Sequence, residues 1–278
     1  MTPASKKAAY NGAIKLGLRN AVLLTSWWSD ADFMALVSMC GRLHMDPGDV
    51  LAVMTSESQI TPSARNPADK SAWPIAVGLN QVTRIAAGAL GLIPGEKTPG
   101  DKSNLGDWKK LADSMVTMSV TDQLKVVESY FSASERTKQG KSWPDAMSIY
   151  AFNAAGISGD VSDGTIIYPA GSGGYAGNAG LDVDGSGEVT GKDLRVHCEY
   201  LATTPLYESA FLRMHILAFR AGHRKGFEDA QARGPSNSTT FDPTFDAGAF
   251  SAAYDDGYRV GGASPVGTAY AQPPYLSV

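Results

Sequence analysis

Apolar side chains in this chain recur at the 3.6-residue period of a helix, and clusters of Pro, Gly and Ser cut the periodic segments apart. Sustained two-residue alternation, the mark of a half-buried strand, is nearly absent. From Asp32 to about His44, the residues Phe33, Leu36, Val37, Met39 and Cys40 form one stripe. Met45-Asp46-Pro47-Gly48-Asp49-Val50 then reads as a helix start. Asp46 can cap the free N–H groups, Pro47 suits the first helical position, and Asp49 complements the helix dipole. This helix is expected to run to about Ser58 and to stop before Pro62. Residues 61–75 read as loop, 76–92 as helix and 93–106 as loop. Helices are expected over 107–119 and 121–136, from Trp143-Pro144-Asp145 onward, and over about 191–202 and 206–229. Within the Gly-rich stretch 156–180, only Thr165–Tyr168 favours a strand. The fold class is therefore mainly α, with a lead-in over 1–31, a helical domain over 32–230 and an extended tail over 231–278.

Composition narrows the function classes. With 43% hydrophobic residues in a chain of 278, a sizeable core can form. Lys and Arg number 24 against 28 Asp and Glu, a net charge of -4, so no nucleic-acid partner is expected. Cys40 and Cys198 permit one long-range disulfide, but neither a disulfide-built scaffold nor a Cys-rich zinc site. No stretch nears the ~18 apolar residues of a membrane span, and none is expected. Ala21–Trp28 comes nearest and is interrupted by Thr25 and Ser26. Lys6, Lys7 and Lys15 are not followed by a long apolar region with a cleavage site, so no secretory signal is read.

One carboxylate stands out. On the helix begun at Asp46, the residues Val50, Val53, Met54 and Glu57 fall at i, i+3, i+4 and i+7, so Glu57 shares the face that enters the core. Burial there raises a carboxyl pKa toward neutrality, as a general acid working near pH 7 requires. Three motifs follow in order: Glu57-Ser58 with Asn66 nearby, Gly78-Leu79-Asn80-Gln81, and Tyr150-Ala151-Phe152-Asn153-Ala154-Ala155-Gly156. Together they resemble the soluble lytic transglycosylase family, lysozyme-like enzymes that cleave peptidoglycan, over roughly residues 33–160. The segment from Met118 through Phe131 is also similar to the helix between the second and third motifs of phage versions.

The resemblance implies a lysozyme-like domain in which Glu57 acts first as acid and then as base. The substrate's own N-acetyl and 6-hydroxyl groups would supply the nucleophile, so one carboxylate suffices where most glycosidases need two. Between residues 50 and 95 the only other carboxylate is Asp69. By the same resemblance, Gln81 and Asn153 would bond sugar amides and position Glu57, Ser58 would support its carboxylate, and Gly78 would admit the sugar closely. Asn66 and Phe152 would complete the substrate site. Phe152 stands where the family usually carries Tyr, so a hydroxyl is missing, and Tyr150, two residues earlier on the helix, is expected to point elsewhere.

The loop from Asp182 to Asp193 resembles the calcium loop of EF-hands. Asp182, Asp184, Ser186 and Asp193 take loop positions 1, 3, 5 and 12, the backbone carbonyl of Glu188 takes position 7, and Gly187 provides the sharp turn at position 6. Val189 holds the apolar position that anchors such loops. Asp193 replaces the usual Glu, and no incoming helix is apparent before the loop. A structural Ca²⁺ is expected here.

The four histidines show no metal-ligand spacing, and no P-loop or nucleophile elbow is present. Ala218–Gly226 and Ala253–Gly261 resemble each other, as a repeated docking element would. The leading expectation is a virion-associated lytic transglycosylase acting on the MurNAc-GlcNAc β-1,4 bonds of peptidoglycan strands in the bacterial periplasm or cell wall. Its tail would dock other virion or tail proteins. The alternatives are a virion structural or ejection protein that keeps the fold without catalysis, and a calcium-dependent glycan-binding module.

Overall fold

A computed structural model describes residues 18–66, 74–95 and 101–232, together with Ala8. The expected tail, the second copy of the repeat and Asp69 lie outside these residues, apart from the first two residues of the tail. The described chain is mainly helical. Its helices are α1 (Leu18–Leu24), α2 (Asp30–Leu43), α3 (Pro47–Ser58), α4 (Arg84–Ala89), α5 (Leu105–Met115), α6 (Val120–Ser132), α7 (Glu135–Lys138), α8 (Ala146–Ala155), α9 (Gly173–Asn178), α10 (Gly191–Leu201) and α11 (Pro205–Gln231). Two short antiparallel sheets complete it, β1 (Ala76–Val77) with β2 (Val82–Thr83) and β3 (Ile166–Tyr168) with β4 (Val189–Thr190).

The helix starts follow local chemistry. Ser29 and Asp32 form a capping box on α2, and the Asp46 carboxylate accepts from Gly48 and Asp49 N–H groups at the start of α3. Ser119, Asp145 and Thr204 cap α6, α8 and α11. Each such cap is worth about 1 kcal/mol and fixes where a helix begins.

Around α3 the main core gathers α2, α6, α8, α10 and α11, with Trp28, Phe33, Leu51, Met54, Phe131 and Tyr207 fully enclosed. A smaller core under β1 and β2 holds Trp108, Met115 and Val77. A cleft lies between the two regions.

Two expectations need correcting. Residues 76–92 do not start as helix: a two-stranded hairpin occupies 76–83, and only Arg84–Ala89 is helical. The lead-in is not separate from the domain from Leu18 on, because α1 packs along α11 and Trp28 belongs to the main core. Cys40 and Cys198, for which the sequence left a disulfide open, are both buried and free. No helix among the described residues is long and apolar enough to cross a membrane.

Candidate functional site

Helix α3 delivers Glu57 to Asn153, which lines the cleft, and ends abruptly just beyond it. Gln59 and Ile60 both adopt left-handed backbone, φ 52° each, which for a β-branched residue is costly. The strain is held from outside. The Ile60 carbonyl accepts the indole N–H groups of Trp27 at 3.0 Å and Trp28 at 2.8 Å, and the Ile60 side chain is fully buried.

Val50, Val53 and Met54 are fully buried, as the helical spacing predicts, and Glu57 on the same face is half-buried. Asn153 Nδ2 donates to Glu57 Oε1 at 3.1 Å. Asn80 Nδ2 in turn donates to Asn153 Oδ1 at 3.0 Å, which orients the Asn153 amide with its NH₂ toward the carboxylate. Burial dominates the electrostatics and pushes the Glu57 pKa up to about 7, against the opposing hydrogen bonds from Asn153 and Tyr150. Among the described residues, no second carboxylate contributes to this shift.

Tyr150 therefore does not point away. Its hydroxyl reaches the Glu57 carboxyl closely enough to act on its pKa and lies 2.8 Å from Ser56 Oγ. Phe152 is packed instead among Tyr130, Phe131 and Trp143, with ring centroids 5.0–5.4 Å away. Tyr130 also faces the site, its pKa pushed up to about 12 by burial and by the Glu57 charge, and its hydroxyl donates to the Phe152 carbonyl at 3.2 Å. Tyr168 is raised by the same two causes. All three phenols are neutral at pH 7.

The cleft has a volume of about 320 Å³, and Asn80, Gln81, Ile85, Tyr130, Phe152 and Asn153 are among its lining residues. Gln81 thus faces it, although its amide donates to the Gly78 carbonyl at 3.0 Å and closes the hairpin turn. Three other expected contacts are placed elsewhere. Ser58 Oγ donates to the carbonyls of Leu79 at 2.8 Å and Met54 at 3.0 Å, joining α3 to the hairpin rather than supporting the Glu57 carboxylate. Gly78, at φ +80°, is buried, and a Cβ there would fall 2.6 Å from Gln123 Oε1. Its bare backbone makes room for Gln123. Asn66 N–H donates to the Ala76 carbonyl, and the residue is not among those lining the cleft.

Sequence reasoning overlooked Gln123, which is buried and brackets the hairpin. It accepts from Leu79 N–H at 3.0 Å and donates to the carbonyls of Pro62 at 2.6 Å and Met115 at 2.7 Å. It also overlooked Ser56 and His197, whose Nε2 lies 2.8 Å from Ser56 Oγ. A polar residue beside the expected catalytic Glu was the available signal for Ser56. His197 had none, because it is 141 positions away in sequence.

At the Asp-rich loop, one oxygen each of Asp182, Asp184 and Asp193 lie within 4.8 Å of one another. Gly185 and Gly187 take φ of 70° and 87°, and Asp182 accepts from the N–H groups of Ser186 and Gly187. Those bonds hold the Asp182 carboxyl below its ordinary pKa, while Lys192, paired with Asp184 at 3.2 Å, does the same for that group. Ser186 Oγ donates to the Glu188 carbonyl at 3.1 Å. Asp193 is fully buried and forms a capping box with Thr190 at the start of α10. A short helix, α9, does lead toward the loop, and buried Val189 pairs with Tyr168 across the β3–β4 sheet.

No family model, no curated protein and no solved structure matches this chain.

Proposed function

We propose that this chain is a peptidoglycan lytic transglycosylase with a lysozyme-like domain, in which Glu57 serves as the single acid and base. The observation that carries the reading is Glu57 itself: a half-buried carboxyl bonded to Asn153, which lines the cleft, with its pKa pushed up to about 7 by burial. A carboxyl of that strength is largely protonated in mildly acidic medium and can still return to the anion, so it can first protonate a glycosidic oxygen and then accept a proton. Asn153 and Tyr150 favour its ionised form and hold it in place. The hydroxyl missing at Phe152 would favour a non-catalytic virion protein, whereas the Tyr150 hydroxyl acting on Glu57 supports the catalytic reading. A single-carboxylate chemistry also suits a site whose carboxyl feels no second acidic group among the described residues.

The Asp182–Asp193 loop is proposed to hold a structural Ca²⁺. Its donor set fits, with three carboxylates, the Ser186 hydroxyl and the Glu188 carbonyl, all hard oxygens. Delivery by a virion, with the tail docked on other virion proteins, accords with the phage-like segment around Met118–Phe131.

Purified chain should clear a suspension of peptidoglycan, with 1,6-anhydro ends on the products by mass spectrometry. Glu57→Gln, nearly the same shape, should reduce clearing at least about a hundredfold while leaving the circular dichroism spectrum unchanged. Undiminished clearing by that variant overturns the assignment.

A further inference from the structure

We propose that His197, acting through Ser56 and Tyr150, is a positioning residue that sets the hydrogen-bonding state of the Glu57 carboxyl. This rests on the acid and base reading of Glu57 and deepens it. His197 sits on α10, Ser56 on α3 and Tyr150 on α8, so the chain of contacts joins three helices. Its links are 2.8 Å from His197 Nε2 to Ser56 Oγ and 2.8 Å from Ser56 Oγ to the Tyr150 hydroxyl. Tyr150 then acts on Glu57.

Ser56 and Tyr150 each carry one hydroxyl proton, so the direction of every link is tied to the next. With Glu57 ionised, Tyr150 donates to the carboxylate, Ser56 donates to Tyr150, and the Nε2–H of His197 donates to Ser56. With Glu57 protonated, the carboxyl donates to Tyr150, Tyr150 to Ser56, and Ser56 to a bare Nε2, the ring proton now standing on Nδ1. Between the two arrangements the only proton gained is the one on Glu57. The imidazole changes tautomer by exchange with water and keeps its count.

A carboxyl that must be acid in one step and base in the next needs partners able to reverse. Hydroxyls and a neutral imidazole can, whereas a Lys or Arg could only donate. Burial lowers the pKa of His197, which favours the neutral imidazole. The other titratable groups facing the carboxyl, Tyr130 from α6 and Tyr168 from β3, are neutral phenols whose hydroxyls are engaged by backbone carbonyls of α8. Arg195 and Glu199 on α10 pair with each other, and Arg195 also with Asp163.

The test follows the Glu57 carboxyl by ¹³C NMR titration of the full chain, alongside the pH profile of peptidoglycan clearing. Ser56→Ala and His197→Phe each break the chain at a different link. Both should raise the Glu57 pKa by roughly half a unit or more, because the donor to the anion is weakened. Clearing should fall several-fold with its alkaline limb moved the same way, and His197→Gln, which keeps a polar atom at similar reach, should restore most of both. Native Glu57 titration in folded Ser56→Ala and His197→Phe overturns the proposal. A native chain that clears nothing removes the catalytic reading, while the titration still decides whether His197 acts on the carboxyl.

Discussion

Glu57 binds its proton more tightly in the folded chain than in the unfolded one, and this makes stability depend on pH. Its folded pKa is about 7 against an ordinary value of 4.5, so between those limits the folded state holds the extra proton. Stability contributed by this group is therefore complete below pH 4.5, declines as pH rises to about 7, and is gone above it. The loss is on the order of 3 kcal/mol. Urea denaturation of the native chain at pH 5 and pH 8 should show that decline, and Glu57→Gln should flatten it. An equal slope in both chains would show that the carboxyl is solvated. At this scale the sequence reveals Glu57 and Asn153, since helical spacing places the first and a local motif marks the second. Tyr150 was misjudged because a helical wheel assigns directions without saying what lies in each. Residues 146–152 of α8 are all buried, so a side chain leaving any face still meets protein, and Tyr150 meets Ser56 and Glu57.

Among the elements, the gathering of Asp182, Asp184 and Asp193 was legible because these residues lie fewer than twelve positions apart. The hairpin at 76–83 was not, because its strands are two residues long and too short to show alternation. What shapes it is backbone, φ +80° at Gly78 and +48° at Gln81, together with the distant Gln123. The loop makes a separable prediction. Ca²⁺ at a hundredfold excess over its Kd should stabilise the chain by about 2.7 kcal/mol, read as a higher melting temperature that chelator reverses. Asp184→Asn should abolish this response with little change in the metal-free melting temperature, since its main protein contact is the surface pair with Lys192. Asp193→Ala should lower the metal-free stability by about 1 kcal/mol as well, because it removes half of a capping box. A melting temperature indifferent to Ca²⁺ would leave the loop as a turn braced by its own hydrogen bonds.

Over the whole molecule, the two ends of the described chain are joined by one buried cation. Arg213 on α11 donates to the carbonyls of Thr25 at 2.8 Å and Trp28 at 3.0 Å and to Asp30 at 2.8 Å, and its guanidinium lies 4.8 Å from the Phe33 ring centroid. Arg213→Leu should destabilise by about 2–4 kcal/mol in urea denaturation, mostly through the carbonyls left unpaired, since Asp30 is 62% exposed and readily hydrated. A loss below about 0.5 kcal/mol would mean that water replaces the guanidinium. This link was invisible in the sequence, where an Arg in an amphipathic helix looks like any solvated charge, and it explains why the segment before Asp32 is part of the body. The paired indoles of Trp27 and Trp28 carry a practical consequence of their own. Both N–H groups end on one carbonyl, two residues beyond the helix that bears Glu57. Their side-chain resonances lie apart from the backbone amides, so the pair is a native reporter: the buried Trp28 proton should exchange with deuterium only when Ile60 shifts, and that of the exposed Trp27 sooner.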